Sequence, residues 1–102
     1  MTLHVVDTAN LTSFSSEKVL SSPLLDIGKV RVLSVNLEAG QTIPPCNMSA
    51  TVLYNVIDGQ GALRVVDEQV RVQTGSLVVV PPGTERSISA ENRMRVLAMQ
   101  LQ

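Results

Sequence analysis

The chain has 102 residues and a mass of 11.0 kDa, a size that allows one domain burying roughly 65% of its unfolded surface and excludes a two-domain enzyme. Hydrophobic residues make up 44% against 17% charged, with a mean hydropathy of +0.21, too apolar for a disordered chain and too interrupted by polar residues for a membrane span. Eight basic and nine acidic residues give a formal net charge of −1 without a one-signed cluster, and Phe14 and Tyr54 are the only aromatics, so both the electrostatic footprint and the stacking platforms of a nucleic-acid binder are missing. Cys46 is the single cysteine and His4 the single histidine, which rules out an internal disulfide, a Cys/His dyad and a multi-histidine metal cluster. The opening MTLHVVDTAN lacks a basic stretch followed by an apolar one, and a cytoplasmic location is expected.

Along the chain, Leu3-His4-Val5-Val6 alternates like an edge strand, with His4 a surface residue without a role. Ala9 to Leu20 is the only helical candidate; its serines limit it to one short turn capped by Asn10 or Thr12. Val30–Leu37 alternates apolar and polar residues and stops at Glu38-Ala39-Gly40, the first clear half-buried strand. Pro44-Pro45 makes a rigid approach to the next one. Strands are then expected over 51–57, 63–66 and 70–72, closed by Asp58-Gly59, by Asp67-Glu68 (a solvated turn) and by Gln73-Thr74-Gly75. The apolar run Leu77–Val80 must end at Pro81-Pro82-Gly83, and 86–89 and the stretch from Met94 complete the set. Close spacing and Gly/Pro punctuation favour a small antiparallel all-β barrel over any βαβ architecture, as one domain spanning 1–102, with an arm over 1–29 and the barrel over 30–102.

Two segments carry a more specific spacing. The first runs Gly40, five residues, Cys46-Asn47-Met48, three residues, Val52, six residues, Gly59; the second runs Gly75, five residues, Pro81-Pro82-Gly83, two residues, Arg86. From Val30 to the C-terminus the chain thereby resembles the cupin superfamily, whose motifs read Gly, five residues, His-x-His, three or four residues, Glu, six residues, Gly, and Gly, five residues, Pro-x-Gly, two residues, His. The resemblance implies a double-stranded β-helix, a jelly-roll-like barrel with a pocket at its mouth, and often a homodimer. At the family's metal-ligand positions, however, stand Cys46, Met48, Val52 and Arg86, and the usual Asp after the second motif's first glycine is Ser76. A hard dication prefers imidazole and carboxylate, so no metal and no cofactor is expected.

Alternation along the strand places Val52, Tyr54 and Val56 inward and Leu53, Asn55 and Ile57 outward. The expected ligand-binding set is therefore Cys46, Met48, Val52, Tyr54, Val56 and Arg86, with Arg86 holding a carboxylate or phosphate and the Tyr54 hydroxyl orienting it. The alternative for Arg86 is a guanidinium that reaches solvent or pairs with Glu85 or another acid in a filled barrel. Cys46 and Met48 make too poor a soft-metal pair beside a cation, and no base accompanies Cys46 as a nucleophile. No residue is assigned a catalytic role, and enzymatic activity is not favoured. The runner-up is a metal-independent, isomerase-like cupin, for which Tyr54 and Cys46 are the only candidate bases. A purely structural barrel, burying Leu53, Ile57, Val5 and Val6 against a second copy, is the third reading; neither a nucleic acid nor a membrane is expected as partner.

Overall fold

A computed structural model of the protein describes residues 3–102. Nine strands form it: β1 (Leu20–Asp26), β2 (Val30–Leu37), β3 (Thr42–Cys46), β4 (Thr51–Asp58), β5 (Gln60–Val65), β6 (Glu68–Gln73), β7 (Leu77–Val80), β8 (Arg86–Ala90) and β9 (Met94–Leu101). All pairings are antiparallel, in a five-stranded sheet of order β1-β2-β9-β4-β7 and a four-stranded sheet of order β3-β8-β5-β6. Among the described residues the only helical element is a 3-10 turn, Thr8–Asn10, so the expected all-β class holds.

The core lies between the two sheets and draws on both. Leu37, Val52, Val56, Met94 and Val96 come from one sheet and Leu63, Val72 and Ile88 from the other. Period-two alternation produces it: β4 buries Val52, Tyr54 and Val56 while Leu53, Asn55 and Ile57 are only half-buried, and β9 buries Met94, Val96, Ala98 and Gln100. The Gly40, Gly59, Gly75 and Gly83 of the two spaced segments all take positive φ. At Gly59 the requirement is double, since its φ is +93° and a Cβ would run into the Arg93 carbonyl oxygen.

Three expectations are corrected. The alternation at Leu3–Val6 forms no strand, because a short extended segment without a neighbour to bond gains nothing from alternation; residues 1 and 2 of the expected arm lie outside the described residues. The helical turn sits at Thr8–Asn10 and is capped by Asp7, whose Oδ1 accepts from the Ala9 amide at 3.1 Å, ahead of Asn10 and Thr12. The barrel begins before Val30: β1 is an edge strand of the five-stranded sheet, paired with β2 from Leu20↔Asn36 to Asp26↔Arg31.

The arm before β1 crosses the outer face of the five-stranded sheet. Asn36 Nδ2 donates to the Leu11 and Ser13 carbonyls at 3.1 and 2.9 Å, and Arg95 Nη1 donates to the Thr8 carbonyl at 2.8 Å. The Arg93 guanidinium sits 4.5 Å over the Phe14 ring and grips Glu38 with two hydrogen bonds of 2.7 and 2.9 Å.

Candidate ligand-binding site

The start of β8 fixes the site. In Arg86-Ser87-Ile88-Ser89-Ala90, alternation puts residue 86 on the same face as Ile88 and Ala90, and the chain buries a guanidinium where the parity calls for a core residue: Arg86 is 2% exposed. Its Nε donates to the Thr84 carbonyl at 3.0 Å, and Nη1 makes a long 3.5 Å contact to the Tyr54 hydroxyl. Nη2 is buried without a hydrogen-bond partner. The carboxylate ion pairs among the described residues belong to Arg71, Arg93 and Arg95; Arg86 has none, and neither the solvent-reaching nor the Glu85-paired form of this residue is what the fold contains.

A buried, unpaired guanidinium is costly. The arginine side chain stays charged at any pH the protein meets, and leaving such a charge buried without its partner costs about 3–5 kcal/mol. Tyr54 does not neutralise it: burial pushes the phenol's pKa up from 10.0, against the pull of the adjacent Arg86 charge, so the hydroxyl remains a neutral dipole able to donate as well as accept.

Tyr54 also borders an apolar cavity at the mouth of the barrel. Its side chain lines a space of about 310 Å³ together with Leu33, Val35, Ile43, Met48 and Val52. The polar groups there are Ser21 and the buried Gln100. Gln100 Nε2 has only the Met48 thioether for a partner, at 3.8 Å, a weak acceptor for an amide. A second depression, of about 280 Å³, is lined by Arg86 itself with Pro45, Arg64, Val65, Glu85 and Ser87. It lies where the outward-facing Arg64 and Ser87 meet the register pair Val65 and Arg86. The Arg86 Nη1 contact to Tyr54 is made on the barrel side.

Of the six residues expected to line one pocket, Met48, Val52 and Tyr54 do so, while Arg86 lies outside that cavity's wall and touches its Tyr54 at the hydroxyl. Val56 is a core residue outside the cavity wall, two residues beyond Tyr54 on the same face of β4. Cys46 is exposed, although it pairs with Arg86 across β3 and β8. The register shift between Ile43 and Cys46, over Pro44-Pro45, brings it onto the face of its partner Arg86, but at the last residue of an edge strand, where solvent reaches the thiol. Gln100 is the functional candidate that sequence reading passed over, and its parity with Met94, Val96 and Ala98 was the available signal.

The donor set at the four matching positions does not fit a dication. An exposed thiol, a thioether, an apolar side chain and a guanidinium offer no imidazole or carboxylate, and the guanidinium repels a cation. Among the described residues no group of three His, Cys, Asp or Glu side chains converges. The same residues also hold no helix long and apolar enough to cross a membrane.

Comparison with solved structures identifies this architecture. A cupin superfamily protein from Desulfitobacterium hafniense superposes with a TM-score of 0.87 at 18% identity, over 99% of this chain and 93% of that one. The protein folds as a cupin. An RmlC-like cupin from Desulfovibrio desulfuricans gives a TM-score of 0.86 at 19% identity, over 99% of this chain and 96% of that one. Salicylate 1,2-dioxygenase from Pseudoaminobacter salicylatoxidans, a much longer chain, gives 0.77 at 20% identity, with 83% of this chain matched to 26% of the enzyme. At such identities the likeness is one of fold, and the cupin fold hosts enzymes and proteins of unassigned activity alike. No protein-family model and no curated protein matches the sequence.

Proposed function

We propose that this cupin is a metal-free, cytoplasmic binding module that holds a small organic anion inside its barrel, with Arg86 as the charged anchor and Tyr54 as the orienting hydroxyl. The observation that carries the reading is the buried guanidinium with no carboxylate partner and one unpartnered nitrogen, Nη2. A bound anion supplies the missing counter-charge and converts a destabilising burial into charge-assisted hydrogen bonds. The apolar cavity next to Tyr54 is of the size and make-up of small-molecule sites, at the lower end of their ~300–1,000 Å³ range. No step of catalysis is assigned, because the Tyr54 phenol has its pKa raised, the wrong direction for a general base near neutral pH.

Calorimetric titration of the protein with hexanoate tests the reading. Saturable 1:1 binding is expected, and Arg86→Met, which keeps length but not charge, should weaken it by about 3 kcal/mol, roughly 100-fold. Absence of binding, or equal affinity in the variant, contradicts the proposal.

The outer face of the five-stranded sheet favours a second reading, compatible with the first: self-association as a homodimer. One row of register partners crosses all five strands as Leu25, Val32, Met99, Leu53 and Val79, apolar from end to end, with Val79 58% exposed. Leu97 and Leu77 lie in the next row, and Leu77 is 60% exposed. The arm crosses the sheet at Asn36 and Arg95 and reaches the Ser34 and Ser22 end of the second row, while Val79 and Leu77 at the far edge stay exposed. A charge-free strip of this kind is the core of a sheet-on-sheet contact, and Leu53 is the one residue of the originally expected face that lies in it. Sedimentation velocity should show a dimer that Val79→Lys converts to monomer; a monomeric parent protein overturns this reading.

A further inference from the structure

We infer that the ligand is a monocarboxylic acid with an apolar body and a polar group at its far end, and that Gln100 is the residue that reads that far group. The inference rests on the anion-binding reading of Arg86 and goes on to name the ligand class and a specificity residue.

Charge balance limits the anion. Arg86 brings one positive charge, and none of the residues lining the neighbouring cavity is ionisable apart from the neutral Tyr54 phenol. A singly charged carboxylate is neutralised there; a phosphate dianion would bring a second, uncompensated charge against an apolar wall. The bonding geometry agrees. The spare Nη2 and the Tyr54 hydroxyl are two donors at one end of the guanidinium, and a carboxylate has two oxygens to accept them. The Nη1 to Tyr54 contact, at 3.5 Å, is long enough to be weak, so a carboxylate that takes its place gives up little.

Tyr54 sets the direction of the rest of the molecule. Its hydroxyl meets Arg86 while its side chain walls the apolar cavity, so an acid bound at the hydroxyl extends its body among Leu33, Val35, Met48 and Val52. In that cavity Gln100 stands apart. It is 5% exposed, and its amide nitrogen has only the Met48 sulfur at 3.8 Å. A buried amide left with a thioether is under-satisfied; a hydroxyl or carbonyl on the ligand body gives it a proper partner. Met48, unbranched and only half-buried, can repack around that group.

The test is a calorimetric series of acetate, butyrate, hexanoate and 6-hydroxyhexanoate, with inorganic phosphate as a second anion, on the parent protein and on Gln100→Leu. Affinity should rise two- to fourfold per methylene from acetate to hexanoate, as apolar burial requires, and phosphate should bind more weakly than hexanoate. The terminal hydroxyl should cost the parent protein nothing and should cost Gln100→Leu about tenfold, because the variant leaves a buried hydroxyl unpartnered. If acetate and phosphate bind as tightly as hexanoate and depend on Arg86, the anion site stands and its extension into the cavity is overturned. If none of the anions binds, the anion-binding reading itself fails. Should Gln100→Leu not fold, nuclear Overhauser contacts between the methylenes of hexanoate and the Met48 methyl in the parent protein decide the matter, their absence in the saturated complex counting against the cavity.

Discussion

Arg93 and Arg86 are the same side chain put to opposite uses. Arg93 lies on the surface, grips both oxygens of Glu38 at 2.7 and 2.9 Å and covers the Phe14 ring. Every feature it needs is supplied by the chain, and its effect is to strap the N-terminal arm to the barrel. Arg86 lies in the interior, with a carbonyl, a distant phenol and an unpartnered Nη2. A surface arginine can do without a partner because water solvates it; a buried one cannot. The complete set of partners therefore sits where it matters least for stability, and the incomplete set where it costs most, which is the arrangement of a site whose remaining partner arrives from solution.

Conservative replacement separates the two arginines. Arg86→Lys keeps the charge and loses the planar fork, and should weaken hexanoate about tenfold, between the parent protein and Arg86→Met. Arg93→Lys should leave the affinity unchanged, and a matching loss there would erase the distinction drawn between them. Acid provides a smaller effect. The Arg93 hydrogen bonds hold the Glu38 carboxyl below its ordinary 4.5, so the pair's contribution to stability is complete above that pH and is lost as pH falls through the lowered value. Thermal unfolding of Glu38→Gln followed from pH 7 to pH 3 should show a shallower acid decline than the parent protein; parallel curves would mean that the strap contributes nothing.

Much of the fold was legible from period and punctuation. Val30–Leu37 and Leu77–Val80 occur as read, and the strand around Tyr54 differs by a single residue at its end, because alternation or apolar runs closed by Gly or Pro leave few other conformations. The two strands not foreseen, β1 and β3, contain Pro23 and Pro44-Pro45. Proline lacks the N–H that a central strand needs, and both are edge strands, where one side of the backbone has no ladder to supply. The false strand at Leu3–Val6 shows the converse, since alternation describes faces and says nothing about whether a neighbour exists.

The site was legible in part, for a related reason. Parity placed Tyr54 and Val52 inward and the resemblance put Arg86 beside them, yet the absence of a carboxylate around Arg86 is a fact of three dimensions that no spacing contains. Cys46 ends the edge strand β3 and is open to solvent, an exposure that parity does not report. Gln100 was overlooked because a glutamine near the end of a chain reads as surface until the strand that carries it is known to run through the middle of a sheet.

The most direct test watches both arginines in one spectrum. In uniformly ¹⁵N-labelled protein titrated with hexanoate, the Arg86 Nε–H resonance should move along the calorimetric binding curve while that of Arg93 stays in place. Movement of Arg93 or another surface arginine with Arg86 silent would contradict the assignment of Arg86 as the anion's partner.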